Sequence, residues 1–112
     1  MNIGVLGGCS WGTTVAHLLS RRYDVTLWAR NSDIADEINA PHTNDRYLSS
    51  APLSPKLQAT DQLQAATRGQ SVLVMAIPAQ NFRAVLTDAA RYLDPLTPIV
   101  SLSKGLEFST GA

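Results

Sequence analysis

The chain has 112 residues, which suits one domain and is too short for two. Hydrophobic residues make up 45% and charged residues 16%, and the formal net charge is zero, so nothing marks a nucleic-acid or anionic-membrane partner. One cysteine cannot form an internal disulfide, and the separated His17 and His42 offer no metal constellation. The longest apolar run, Val72 to Ile77, is too short to cross a bilayer, and no basic leader precedes the first strand. A cytoplasmic protein without membrane insertion is expected.

Asn2 to Leu6 is rich in Ile, Val and Leu and bounded by glycine, which predicts a buried strand. Small residues follow, Gly7-Gly8-Cys9-Ser10, and then a helical pattern from Trp11 to Arg21 with Val15, Leu18 and Leu19 on one face. Ser10 is the expected N-cap. Asp24 to Ala29 reads as a second strand, and Ser32 to Asn39 as a short helix with Ile34 and Ile38 one turn apart. Pro41 to Pro55 is irregular and polar, a long loop of the kind that is usually functional or disordered.

Leu57 to Thr60 predicts a short strand, with Thr60 capping a small helix from Asp61 to Thr67. Ser71 to Ile77 is the clearest central strand, stopped by Pro78. Phe82, Val85, Leu86, Ala89, Ala90 and Leu93 then form a helical stripe that Asp94-Pro95 ends. Pro98 to Leu102 is the last strand, followed by Ser103-Lys104-Gly105.

Strand and helix alternate throughout, which predicts an α/β fold of Rossmann type. Its doubly wound, mainly parallel sheet has the order 3-2-1-4-5 and carries ligand at the carboxyl ends of its strands. The fifth strand is an apolar edge, so the sheet reads as truncated there. That edge should be covered or should promote self-association.

The turn after the first strand carries the chemistry. Gly7 and Gly12 fill the first and third glycine positions of a dinucleotide fingerprint that follows a strand and opens a helix, the context such a motif needs. Cys9 stands at the second glycine position. If that position requires a positive φ, Cys9 adds strain of roughly 1–3 kcal/mol, and Cys9→Gly should tighten binding. The second strand ends Leu27-Trp28-Ala29-Arg30-Asn31, without the acid that binds ribose hydroxyls in an NAD site. Arg30 suits a 2′-phosphate or an adenine face, so NADP should be accepted at least as well as NAD.

Plainer readings stand beside these. Trp11 is more often packing than ligand contact, and Tyr47 either anchors its loop or closes over the adenosine half. Pro78 ends the central strand where a nicotinamide would lie, whether or not one binds. Lys104 is either a solvated lysine or a cation for a carbonyl- or phosphate-bearing substrate.

Several stretches together resemble the N-terminal domain of bacterial NAD(P)-dependent glycerol-3-phosphate dehydrogenases. They are Val5-Leu6-Gly7, Ser10-Trp11-Gly12-Thr13, Val25 to Arg30, Asn44-Asp45-Arg46-Tyr47-Leu48, Ile77-Pro78-Ala79-Gln80 and Ser103-Lys104-Gly105-Leu106-Glu107. The resemblance implies interconversion of sn-glycerol 3-phosphate and dihydroxyacetone phosphate, feeding phospholipid synthesis. It places Ser10, Trp11, Arg30 and Tyr47 against the cofactor, and Lys104 between the nicotinamide and the substrate.

The resemblance also implies a second, mostly helical domain that supplies the proton-transferring lysine and most of the substrate phosphate site. That lysine is expected beyond Ala112, the last residue of the sequence. With no catalytic residue expected within residues 1–112, the chain reads as a partial dinucleotide-binding domain without appreciable turnover. Other two-domain dehydrogenases, of ketopantoate reductase or hydroxyacyl dehydrogenase type, share the turn. A non-catalytic dinucleotide-binding module would leave Lys104 idle.

Overall fold

The computed structural model describes residues 1–46, 48 and 52–102. Strands and helices alternate as β1 (Asn2–Leu6), α1 (Ser10–Leu19), β2 (Asp24–Trp28), α2 (Ser32–Asn39), β3 (Gln58–Thr60), α3 (Leu63–Thr67), β4 (Val72–Met75), α4 (Ala79–Ala89) and β5 (Ile99–Ser101). All neighbouring strands pair in parallel, in the order β3-β2-β1-β4-β5 expected from the alternation.

Successive side chains of a strand face opposite sides of the sheet, and the core divides accordingly. Ile3, Val5, Val25, Leu27 and Val74 pack with Ala16 of α1 and with Ile34, Ala35 and Ile38 of α2. Leu6, Trp28, Leu73 and Met75 pack on the other face with Ala66 of α3 and with Val85 and Ala89 of α4. The central strands bury both faces, which is why they read as continuous apolar runs rather than alternating ones.

Several boundaries differ from expectation. α1 begins at Ser10, with Cys9 as the extended cap residue and no side-chain cap bond, so Ser10 is the first helical residue rather than the N-cap. Gly12, Thr13 and Ala16 form the buried face of α1. Val15 and Leu19 pack against the core at the margin, while Leu18 is 53% exposed. Small residues line the contact because α1 lies close against the sheet. Thr60 does not cap a helix from Asp61; its hydroxyl accepts from the Gln62 N–H at 3.0 Å, and α3 starts only at Leu63. α4 starts at Ala79, before its apolar stripe, because Pro78 at φ −53° supplies its cap. It ends before Leu93, which still packs on the second core.

The two sheet edges are finished differently. In the parallel ladder, Thr60 bonds β2 through its carbonyl, so the N–H and C=O of Ala59 face outward. The Asn39 side chain meets both: its Oδ1 accepts from Ala59 N–H at 2.7 Å and its Nδ2 donates to Ala59 C=O at 2.8 Å. On the opposite edge, Pro98 and Leu102 bond β4, which turns the backbone groups of Ile99 and Ser101 outward. Ile99 and Val100 are 42% and 47% exposed, so the apolar edge expected from sequence is present.

Gly4 sets how near α3 comes to β1. A Cβ at Gly4 would collide with the carbonyl oxygen of Ala66, which is fully buried. The obstacle is backbone, so it cannot be relieved by a rotamer change. Gly4→Ala is therefore expected to cost about 2–3 kcal/mol through overpacking, read as a lower urea midpoint with an unchanged slope. A midpoint within error of the parent would show that α3 can move away freely.

Candidate functional site

Chain connections leave β1 toward β2 and leave β4 toward β5, so the crevice at the carboxyl ends of β1 and β4 is the switch point of the sheet. A cleft of about 270 Å³ opens there. It is lined by Gly7, Gly8 and Cys9 after β1, by Ala29, Arg30 and Asn31 after β2, and by Ala76, Ile77 and Pro78 after β4. Trp28, Ile34, Arg46 and Asn81 complete the wall.

Gly7 makes the turn possible. Its φ is +127°, a conformation that side chains disfavour, and its N–H donates to Trp28 C=O at 2.9 Å. A Cβ on Gly7 would strike the Ala76 carbonyl, and one on Gly12 would strike the Gly7 carbonyl. The helix can therefore start directly over the end of the strand, one residue after the Cys9 that lines the cleft.

Cys9 departs from expectation. Its φ of −79° and ψ of −173° are extended backbone that any residue adopts, so the left-handed strain expected there is absent. The thiol turns aside and donates to Ala76 C=O at 3.7 Å. The expected tightening on Cys9→Gly thus loses its strain basis. The position that needs glycine for its φ is Gly7.

Arg30 lines the cleft with its guanidinium 5.7 Å from the centre of the Trp28 ring. The ring is itself held by an indole N–H bond to Asp61 C=O at 3.1 Å. Asn31 caps α2 by accepting from Asp33 N–H at 2.8 Å. No carboxylate lies among the lining residues, and Arg46 adds a second guanidinium. The lining combines two cations, Arg30 and Arg46, with the apolar Ala76, Ile77 and Pro78.

The cleft thus brings together Gly7, Arg30 and Pro78 from the sequence reading, with Gly12 directly behind Gly7. Ser10 and Trp11 lie on a separate shallow surface with Thr14, and Trp11 is 55% exposed. Tyr47 and Lys104 lie outside the described residues. So does Ala112, the point beyond which the proton-transferring lysine is expected. Among the described residues no group of side chains could hold a metal ion, and no helix is long and apolar enough to cross a membrane.

Two residues were missed by reasoning from sequence. Arg46 reaches the cleft from the irregular loop, and Asn44 is fully buried beneath the glycine turn. The polar run His42 to Arg46 gives no periodicity from which either could be read. The loop is well tied down. Glu37 Oε2 accepts from Thr43 Oγ1 and from Asp45 N–H, both at 2.7 Å. His17 Nδ1 accepts from Ser54 N–H at 2.9 Å, and Leu53 and Leu57 are buried in the core.

Comparison with known proteins agrees with this geometry. The family model described as NAD-dependent glycerol-3-phosphate dehydrogenase N-terminus matches residues 2–112. A glycerol-3-phosphate dehydrogenase (NAD(P)+) of Sphingopyxis alaskensis is 44% identical over 111 residues, covering 99% of this chain and 33% of the relative. One from Mycobacterium avium is 49% identical over 107 residues, covering 95% of this chain and 31% of the relative. The crystal structure of glycerol-3-phosphate dehydrogenase from Coxiella burnetii superposes with a TM-score of 0.81 at 35% identity, over 89% of this chain and 31% of that one. The chain spans about a third of the length of the curated relatives it matches.

The loop clamp carries a pH dependence. The Asp45 N–H bond, and then the Thr43 hydroxyl, hold the Glu37 carboxyl below its ordinary value of 4.5. A depressed carboxylate stabilises the fold above its unfolded pKa and loses that contribution as pH falls through its folded pKa. The protection of the Asp45 amide against exchange, taken relative to its intrinsic rate at each pH, should therefore fall only below pH 4.5 in the parent chain. In Glu37→Ala, which removes the acceptor, that protection should already be lost at neutral pH, with no acid step. Equal exchange in the two proteins would show that other contacts hold the loop.

Proposed function

The chain belongs to the NAD-dependent glycerol-3-phosphate dehydrogenase N-terminal family, and from that membership we propose that residues 1–112 form the dinucleotide-binding domain of such an enzyme. The reaction of the whole enzyme is hydride transfer between sn-glycerol 3-phosphate and dihydroxyacetone phosphate, in the cytoplasm, serving glycerophospholipid synthesis. The observation that carries the reading is the switch-point cleft, lined by a glycine turn and by two arginines with no carboxylate among the lining residues.

These residues fit NAD(P), with the phosphorylated form accepted at least as well as NAD. Gly7 makes the tight turn and Gly12 lets α1 pack directly on it, so the helix opens immediately after the turn that would hold the pyrophosphate. Arg30, stacked on Trp28, presents its guanidinium edge to a 2′-phosphate while its face stays on the ring. Arg46 lines the same cleft as a second cation. Pro78 and Ile77 give the cleft apolar lining suited to a nicotinamide ring. When bound, the nicotinamide supplies or accepts the hydride.

The remaining assignments rest on the family resemblance. Ser10 and Trp11 contact the cofactor from the first turn of α1, Tyr47 covers the adenosine half, and Lys104 faces both the nicotinamide and the substrate. In this reading a helical domain beyond Ala112 brings the proton-transferring lysine and the substrate phosphate site. The chain on its own binds dinucleotide but does not turn over substrate. The exposed β5 edge is where copies of the isolated chain associate.

Titration with NADPH and NADH tests the reading. NADPH should bind at least as tightly as NADH. Arg30→Ala should weaken NADPH by about tenfold, the loss of one charge-assisted contact, and leave NADH within about twofold on the same scale. A strong NADH preference that survives the substitution would overturn the cofactor assignment. Reduction of dihydroxyacetone phosphate at enzyme-like rates by the 112-residue chain would overturn the division of labour between domains.

A further inference from the structure

Asn44 is a polar side chain with no exposure, buried between the glycine turn and α1. Its Nδ2 donates to Gly8 C=O at 2.9 Å and to Thr13 Oγ1 at 2.9 Å. Thr13 Oγ1 in turn donates to the same Gly8 carbonyl at 3.2 Å. Asn44 Oδ1 has no hydrogen-bond partner among the described residues. An unmet buried acceptor is costly, so the residue is poorly explained by stability alone. It is better explained by what its amide holds.

Two donors converge on one carbonyl, and the carbonyl belongs to the peptide joining Gly8 to Cys9. No peptide among the described residues is cis. In a trans peptide the N–H points opposite to the C=O. With the Gly8 carbonyl pulled inward to Asn44 and Thr13, the Cys9 N–H is turned the other way, to the side on which Gly7, Gly8 and Cys9 line the cleft. Released from those donors, the plane next to a glycine rotates readily. The rotated peptide would present a carbonyl oxygen to the ligand, which repels an anion instead of binding it.

We propose that Asn44, seconded by Thr13, is a positioning residue that locks the Gly8–Cys9 peptide with its N–H aimed at the pyrophosphate of the dinucleotide. The proposal rests on the dinucleotide-binding function given above. It also gives the long loop a second task. The same segment that carries Arg46 to the cleft wall holds the floor of the turn from below, and Glu37 fixes the residue between them through the Asp45 N–H.

The test compares two ligands on the 112-residue chain: NADPH, and adenosine 2′-monophosphate, which lacks the pyrophosphate. Calorimetric titration is run on the parent, Asn44→Ala and Thr13→Val, with circular dichroism to verify folding and the Cys9 amide followed by nitrogen-15 NMR. Asn44→Ala should weaken NADPH by about tenfold and leave adenosine 2′-monophosphate within about twofold on the same scale. Thr13→Val, which keeps the volume, should give a smaller loss of the same kind, about threefold. The Cys9 amide should shift with NADPH in the parent and not with the monophosphate.

A folded Asn44→Ala that binds NADPH like the parent, or weakens both ligands equally, overturns the positioning role while leaving the function standing. If Asn44→Ala does not fold, Thr13→Val decides by the same comparison. A parent chain that binds neither NADPH nor NADH overturns the function and this inference together.

Discussion

The close backbone contact at the exits of β1 and β4 is the constraint on which the molecule depends. Gly7 turns at a positive φ against the Ala76 carbonyl, and Gly12 brings α1 down onto Gly7 itself. A side chain at either position would push the helix away from the strand. The cleft would then lose the wall that Gly7, Gly8 and Cys9 provide. The same small-residue logic extends along α1, whose buried face is Gly12, Thr13 and Ala16 rather than large aliphatic side chains. The helix gives up apolar burial area there in return for proximity of its first-turn amides to the ligand site.

The second organising feature is polar. The loop after α2 has few backbone ladder bonds of its own, and it is held by side chains instead: Glu37 from the helix, His17 from α1, and Asn44 from within. Each of these bonds joins separate segments of the chain. They fasten the described residues of a long irregular connection, from which Arg46 lines the cleft.

The architecture was legible in the sequence because burial leaves a pattern. Both faces of β1 and β4 are covered, so Ile3 to Leu6 and Val72 to Met75 are nearly continuous apolar runs, and the alternation with helices restricts the sheet to few orders. The glycine turn was legible because it follows a strand and opens a helix. What escaped notice depends on contacts across the chain. Leu18 matches the helical period yet faces solvent, because the sheet approaches the small-residue face of α1 instead. Asn44 and Arg46 lie in one polar run, one buried and one exposed, and hydropathy cannot separate them. Cys9 suggested strain by its place in a motif, but the motif position does not fix the torsion, and the observed φ is ordinary.

The amide of Asn39 has a consequence for how the sheet can change. By satisfying both outward groups of Ala59, it acts as a one-residue surrogate strand that terminates the lattice on the β3 side. Among the described residues the β5 side has no such stopper: Ile99 and Ser101 still offer their backbone to a further neighbour. The sheet is therefore vectorial, sealed at one margin and extensible at the other. Among the described residues the place for an added strand, whether from the same polypeptide, a fused module or another molecule, is beside β5, and the candidate cleft lies one strand inward from it.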